Sequence, residues 1–146
     1  MNTADTHFES FLKSGDTIRI IGTDGKIFRS QRSGISPLLS YLEQNDAHMG
    51  EVVILDKVTG NAAALLMKKA LCHEVFSTIG SKLAVETLKN FGITSHFTKT
   101  VPYIINREGN GMCPFEKMSM GKSPDEFYGL AKCSPLLTPM SSNDRP

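Results

Sequence analysis

The stretch from Glu51 to Thr98 constrains the fold more than any other part of this chain. It reads as strand, helix, strand, helix, strand. Val52-Val-Ile-Leu55 is a continuous apolar run of the kind buried on both faces of a sheet. Asn61 to Ala70 has helical length and carries Ala62, Ala63, Ala64, Leu65, Leu66 and Met67. A helix that apolar must be covered, and its alanines allow close approach to a sheet. Glu74 to Ile79 reads as the next strand. Ser81 caps a helix that runs to Phe91 and ends at Gly92, and Ile93 to Thr98 is a further strand. Strands alternating with helices in this way require parallel, right-handed crossovers.

Around this centre, Thr3 to Lys13 reads as a short helix with Phe8, Phe11 and Leu12 on one face. Thr17 to Ile21 is a short apolar strand, Gly22-Thr-Asp-Gly25 a turn, and Lys26 to Ser30 the return of a hairpin. Ile35 to Glu43 is a helix started by Ser36-Pro37, and Ser123-Pro124 opens a last helix to about Lys132. The expected architecture is one α/β domain over residues 1–133. It has a mixed sheet of about five strands, an N-terminal hairpin and helices on both faces, in three layers. Residues 134–146, with Pro135, Pro139 and Pro146 among polar residues, are expected to be a disordered tail.

Composition narrows the function classes. A formal net charge of +1 gives no electrostatic case for nucleic acid or an anionic membrane. No apolar run is long enough to span a bilayer, and Met1 to Phe8 lacks the pattern of a signal peptide. Cys72, Cys113 and Cys133 cannot all pair and show no Cys-x-x-Cys spacing. A cytoplasmic protein with reduced thiols is expected.

The chemistry concentrates in Val101-Pro-Tyr-Ile-Ile-Asn-Arg-Glu-Gly-Asn-Gly-Met-Cys-Pro-Phe-Glu-Lys117. An extended apolar start turns into a polar loop with Gly109 and Gly111. The loop delivers Cys113, followed by Pro114 and Glu116. Pro is favoured at the first helical position, so Cys113 is expected beside a helix N-terminus, where a thiolate is stabilised. Cys113 is a candidate nucleophile with Glu116 as its acid/base partner. The bland alternatives are a packed thiol and a capping carboxylate, and they weigh about equally. Asn106 and Arg107 face a ligand or fold the loop; Arg107 has the fork for a phosphate or carboxylate. The four histidines, His7, His48, His73 and His96, lie in separate elements.

A second candidate lies where α/β sheets bind ligands, beyond the carboxyl ends of strands. Asp56-Lys57 ends the apolar strand, and Gly60-Asn61 opens a helix whose free N–H groups suit an anion. The bland readings are a salt-bridged strand end and an ordinary cap. The two segments are expected to form one pocket. It is lined by Asp56, Lys57, Gly60, Asn61, Asn106, Arg107, Gly111, Cys113 and Glu116.

These two segments, Val52 to Met67 and Val101 to Lys117, resemble the signatures of a small prokaryotic family of domains of unknown function. That family has a cytidine-deaminase-like fold. The resemblance runs from about residue 16 to residue 132 and implies the deaminase element order. Working deaminases hold zinc with His (or Cys)-x-Glu at one helix start and Pro-Cys-x-x-Cys at the next. The corresponding positions here, near Ser33-Gly-Ile-Ser36 and Asp56-Lys-Val-Thr-Gly60, lack both patterns. No zinc, other metal or cofactor is expected. The expected function is a binding module for a small anionic or nucleotide-like ligand. The alternatives are an enzyme using Cys113 as nucleophile or redox thiol and, less favoured, an RNA-associated protein. No membrane partner is expected, and homo-oligomerisation is left open.

Overall fold

A computed structural model of the chain describes residues 3–45 and 50–134. Its elements follow the chain as α1 (Thr3–Lys13), β1 (Ile18–Gly22), β2 (Ile27–Ser30), α2 (Ser36–Asn45), β3 (Val52–Thr59), α3 (Asn61–Lys69), β4 (Cys72–Ser81), α4 (Lys82–Asn90), β5 (Thr94–Val101), α5 (Pro114–Ser119) and α6 (Pro124–Lys132). The five strands form one mixed sheet in the order β2-β1-β3-β4-β5. The β1–β2 hairpin is antiparallel, and β1 also runs antiparallel to β3. Strands β3, β4 and β5 are parallel, as their intervening helices require.

The sheet faces are unequal. On one, Ile20, Val52, Ile54 and Val75 meet Leu38 and Tyr41 of α2, the apolar run of α3, Leu88 of α4 and Phe127 of α6 in the main core. On the other, Phe11 of α1 packs on Leu55 and Phe76, with Phe8, Ile21 and Val53 around them. Helix caps follow the sequence. Ser81 Oγ accepts the Ala84 N–H, and Ser123 with Glu126 forms a capping box. Gly92 ends α4 with φ 74°, where a side chain would be strained.

Strand β3 corrects the sequence reading. The strand was expected to end at Asp56-Lys57, yet β3 continues to Thr59. Its backbone is held on both sides: the Lys57 N–H donates to Thr17 O at 3.0 Å, and Val58 and Thr59 stay in register with Ile79 and Gly80. The polar side chains are accommodated locally. Thr59 Oγ1 donates to Asp56 Oδ2 at 3.1 Å, although a regular pleat would put residues three apart on opposite faces. Ser134 was counted with the expected tail. Ser134 is buried, with its N–H on Ala131 O, and residues 135–146 lie outside the described residues. So does His48. Among the described residues, no helix is long and apolar enough to cross a membrane.

Candidate functional site

The Cys113 segment folds back as a narrow hairpin against the start of α3. The Cys113 N–H donates to Ile104 O at 2.8 Å and the Asn106 N–H to Gly111 O at 2.8 Å, with a bridge between Ile105 and Met112. Asn106 builds the tip. Its Oδ1 accepts from Gly109 N at 2.8 Å and Asn110 N at 3.2 Å, and its Nδ2 donates to Asn110 Oδ1 at 2.9 Å. Gly109 supplies the φ of 79° that this turn needs. Arg107 is exposed on the tip, and Gly111 sits against the Asn106 amide. Asn106 therefore spends its bonding capacity on folding the loop.

Cys113 is the N-cap of the six-residue helix α5, as the Pro114 signal predicted, and its thiol makes no cap bond. Glu116, one turn on, is 1% exposed. Its Oε1 accepts the Asn61 N–H at 2.5 Å, and its Oε2 accepts the Ile104 N–H at 2.8 Å. Glu116 thus stands at the N-terminus of α3, where the sequence left room for an anion. The chain's own carboxylate fills that place and answers the helix dipole. Gly60 is required by the arrangement: a Cβ there would lie 2.8 Å from Glu116 Oε1 and 2.9 Å from Ile104 Cγ1.

Asn61 ties further elements to this point. Its Nδ2 donates to Ser119 Oγ at 2.9 Å, its Oδ1 accepts from Thr87 Oγ1, and Ser119 Oγ donates to Glu116 O at 2.7 Å. A buried polar network thus joins α3, α4, α5 and the hairpin. Thr87 and Ser119 carry no sequence signal of this role, because each acts across the fold.

Gly60, Asn61, Glu116 and the Cys113 hairpin are brought together, and Lys57 is not brought to them. Asp56 is buried and makes no ion pair among the described residues. Burial pushes its carboxyl up to about 7, against the opposing bonds from Thr59 and from the N–H groups of Val58 and Lys57. Lys57 points to the opposite face of the sheet, with Nζ 5.3 Å from the centre of the Phe11 ring beneath α1. The single pocket expected from the sequence therefore does not include Lys57: neighbours in a strand face opposite ways. Nor does Asp56 form the salt bridge of the bland reading.

The face that takes Lys57 holds charges overlooked in the sequence. Asp16 and Arg19 are both buried and paired, with Arg19 Nε 2.7 Å from Asp16 Oδ2. Burial pushes Asp16 up, but the bond and charge of Arg19, with Gln31 and Arg29, outweigh it and hold the carboxyl below its ordinary value. The signal was present: Arg19 is a lone charge inside the apolar run Ile18 to Ile21. Of the histidines, His96 stacks on Phe76 at 4.3 Å and bonds Glu74 Oε2 at 2.8 Å.

Comparison with known proteins agrees with this architecture. The chain is similar to a DUF1893 family protein from Thermotoga maritima of known crystal structure. The TM-score is 0.79 and the identity 21%, over 90% of each chain. At that identity the likeness carries the fold. No curated protein matches the sequence. Residues 7–130 match the family described as Domain of unknown function (DUF1893), and the chain belongs to that family.

Proposed function

We propose that the domain is a cytoplasmic binding module for a small anionic or nucleotide-like ligand, built on a cytidine-deaminase-like frame without its zinc chemistry. The strand order β2-β1-β3-β4-β5, with an antiparallel hairpin beside three parallel strands, supports that frame. Among the described residues, no three His, Cys, Asp or Glu side chains are grouped as metal ligands. The free state of all three cysteines suits a reducing compartment.

The observation that carries the reading is the commitment of Glu116. Both of its oxygens accept main-chain N–H groups, from Asn61 and Ile104, in a site 1% exposed. With both oxygens engaged by main-chain donors, Glu116 serves as a structural cap, which speaks against its use as the base for Cys113. What remains at this end of the sheet is an internally hydrogen-bonded scaffold, which suits recognition better than turnover.

The test combines mass spectrometry of molecules released from denatured, natively purified protein with thermal-shift screening of nucleotides and small carboxylates. Saturable binding without turnover is expected, unchanged in Cys113→Ala. Conversion of a bound compound that disappears in Cys113→Ala would defeat the reading.

A further inference from the structure

We infer that the α1 face of the sheet carries an anion site, formed by Arg19, Arg29 and Lys57, for a dianionic phosphate group. The inference rests on the binding-module reading and gives its ligand a place and a charge. The three cations come from three adjacent strands. Arg19 of β1 stands opposite Arg29 of β2 and opposite Leu55 of β3. Lys57, two residues beyond Leu55, returns to the same face. The buried Phe11 ring is a common platform, with Arg19 Cζ 5.8 Å and Lys57 Nζ 5.3 Å from its centre.

Charge is unbalanced here. Among the described residues, Asp16 is the one carboxylate paired with these bases, at 2.7 Å from Arg19 Nε and 4.0 Å from Arg29 Nε. Glu9, the acid of α1 whose side chain is described, is exposed and forms no ion pair with them among the described residues. Lys57 is half-buried and has no carboxylate partner among the described residues. Three positive charges against one negative leave a surplus of two, which a phosphate monoester dianion neutralises. Arg19 and Arg29, directly opposite across the ladder, share the single Asp16 oxygen Oδ2, so the repulsion between them is only partly offset. Arg19 has donors to spare. Its Nε is taken by Asp16 and Nη1 reaches Ser10 Oγ at 3.5 Å, leaving the rest of the fork.

The experiment is calorimetric titration of the full chain with inorganic phosphate and with adenosine 5′-monophosphate, for the native protein, Lys57→Gln, Arg29→Gln and their combination. Arg29 has a side chain 60% exposed on an edge strand, so its replacement leaves folding intact, checked by circular dichroism. One saturable site is expected, weakened roughly tenfold or more by each change, as for charge-assisted bonds. Affinity should also fall as salt is raised. Binding of either probe that is unchanged in the double variant overturns this site and leaves the binding-module reading in place. No saturable binding of either probe up to about 10 mM also overturns it. The broader reading falls with it only if every nucleotide and carboxylate in the thermal-shift screen is silent as well.

Discussion

Replacing Glu116 tests whether its carboxylate holds the α3 start closed. Two main-chain donors depend on it, the N–H of Asn61 at 2.5 Å and that of Ile104 at 2.8 Å, and the side chain is almost fully buried. Hydrogen bonds to a charged group contribute about 1.5–3 kcal/mol each. Glu116→Ala removes both and leaves two buried donors unanswered. Release of the carboxylate from its desolvated site offsets part of the loss, so about 3–4 kcal/mol should remain missing. Glu116→Gln keeps the shape, but its one carbonyl answers a single donor while its amide points N–H at the other, for a loss of about 2 kcal/mol. Against a total stability of about 5–15 kcal/mol, both shifts are large. Urea unfolding followed by circular dichroism would read them as lower midpoints at unchanged slope. Lys117→Ala, at an exposed neighbour, should stay within about 0.5 kcal/mol. Gly60→Ala should displace the same carboxylate, so combined with Glu116→Gln it should cost less than the sum. A loss under about 1 kcal/mol in Glu116→Ala would refute the reasoning and leave the start of α3 open to an outside anion.

Other consequences are local. Leu71, exposed and at φ 63° just past α3, should be better replaced by Gly: Leu71→Gly is expected to raise stability by about 0.5–1 kcal/mol in the same urea assay. Gly80→Ala would set a Cβ 2.1 Å from the Phe97 ring and should lower stability by about 1–3 kcal/mol, read from the melting temperature. Asp56 gives a pH signature. Its folded value of about 7 lies above the unfolded one, so between about pH 4 and 7 the native state holds a proton that the unfolded chain releases. Stability from this group therefore falls as pH rises through that window, by up to about 1.4 kcal/mol per unit, and is level above it. Asp56→Asn should lack that slope in urea midpoints taken from pH 4 to 8. Burial pushes the Cys72 thiol up to about 12, so iodoacetamide at neutral pH should modify it last, well after the exposed Cys133, by peptide mapping.

The fold was largely legible because its signals are local. The apolar run at Val52 and the alanine-rich helix after Gly60 fixed the central βα unit, and Ser81, Gly92 and Ser123 marked helix ends by bonds within one turn. The error in β3 has the same origin. Asp56-Lys57 looks like a loop by residue type, and only the two flanking strands, each far away in sequence, keep that backbone extended.

The site was legible in its parts and not in its assembly. Gly60, Asn61 and Glu116 were each singled out, yet the bond between Asn61 and Glu116 spans 55 residues, and no spacing rule reports it. Residue type could not separate a carboxylate serving a thiol from one serving two amides. The distinction depends on which way the hairpin after β5 folds. Alternation, by contrast, was available and decisive for Lys57. If Asp56 faces the α3 side, the next residue must face α1, and there it joins the lone charge of the first strand, Arg19, over Phe11. Lys57 is thus parted from the α3 start it was expected to line: that start is closed by the chain's own anion, and the face that takes Lys57 carries surplus positive charge among the described residues. The proposed phosphate site therefore belongs on the Lys57 face, where the charge surplus among the described residues gives an external anion an electrostatic reason to bind.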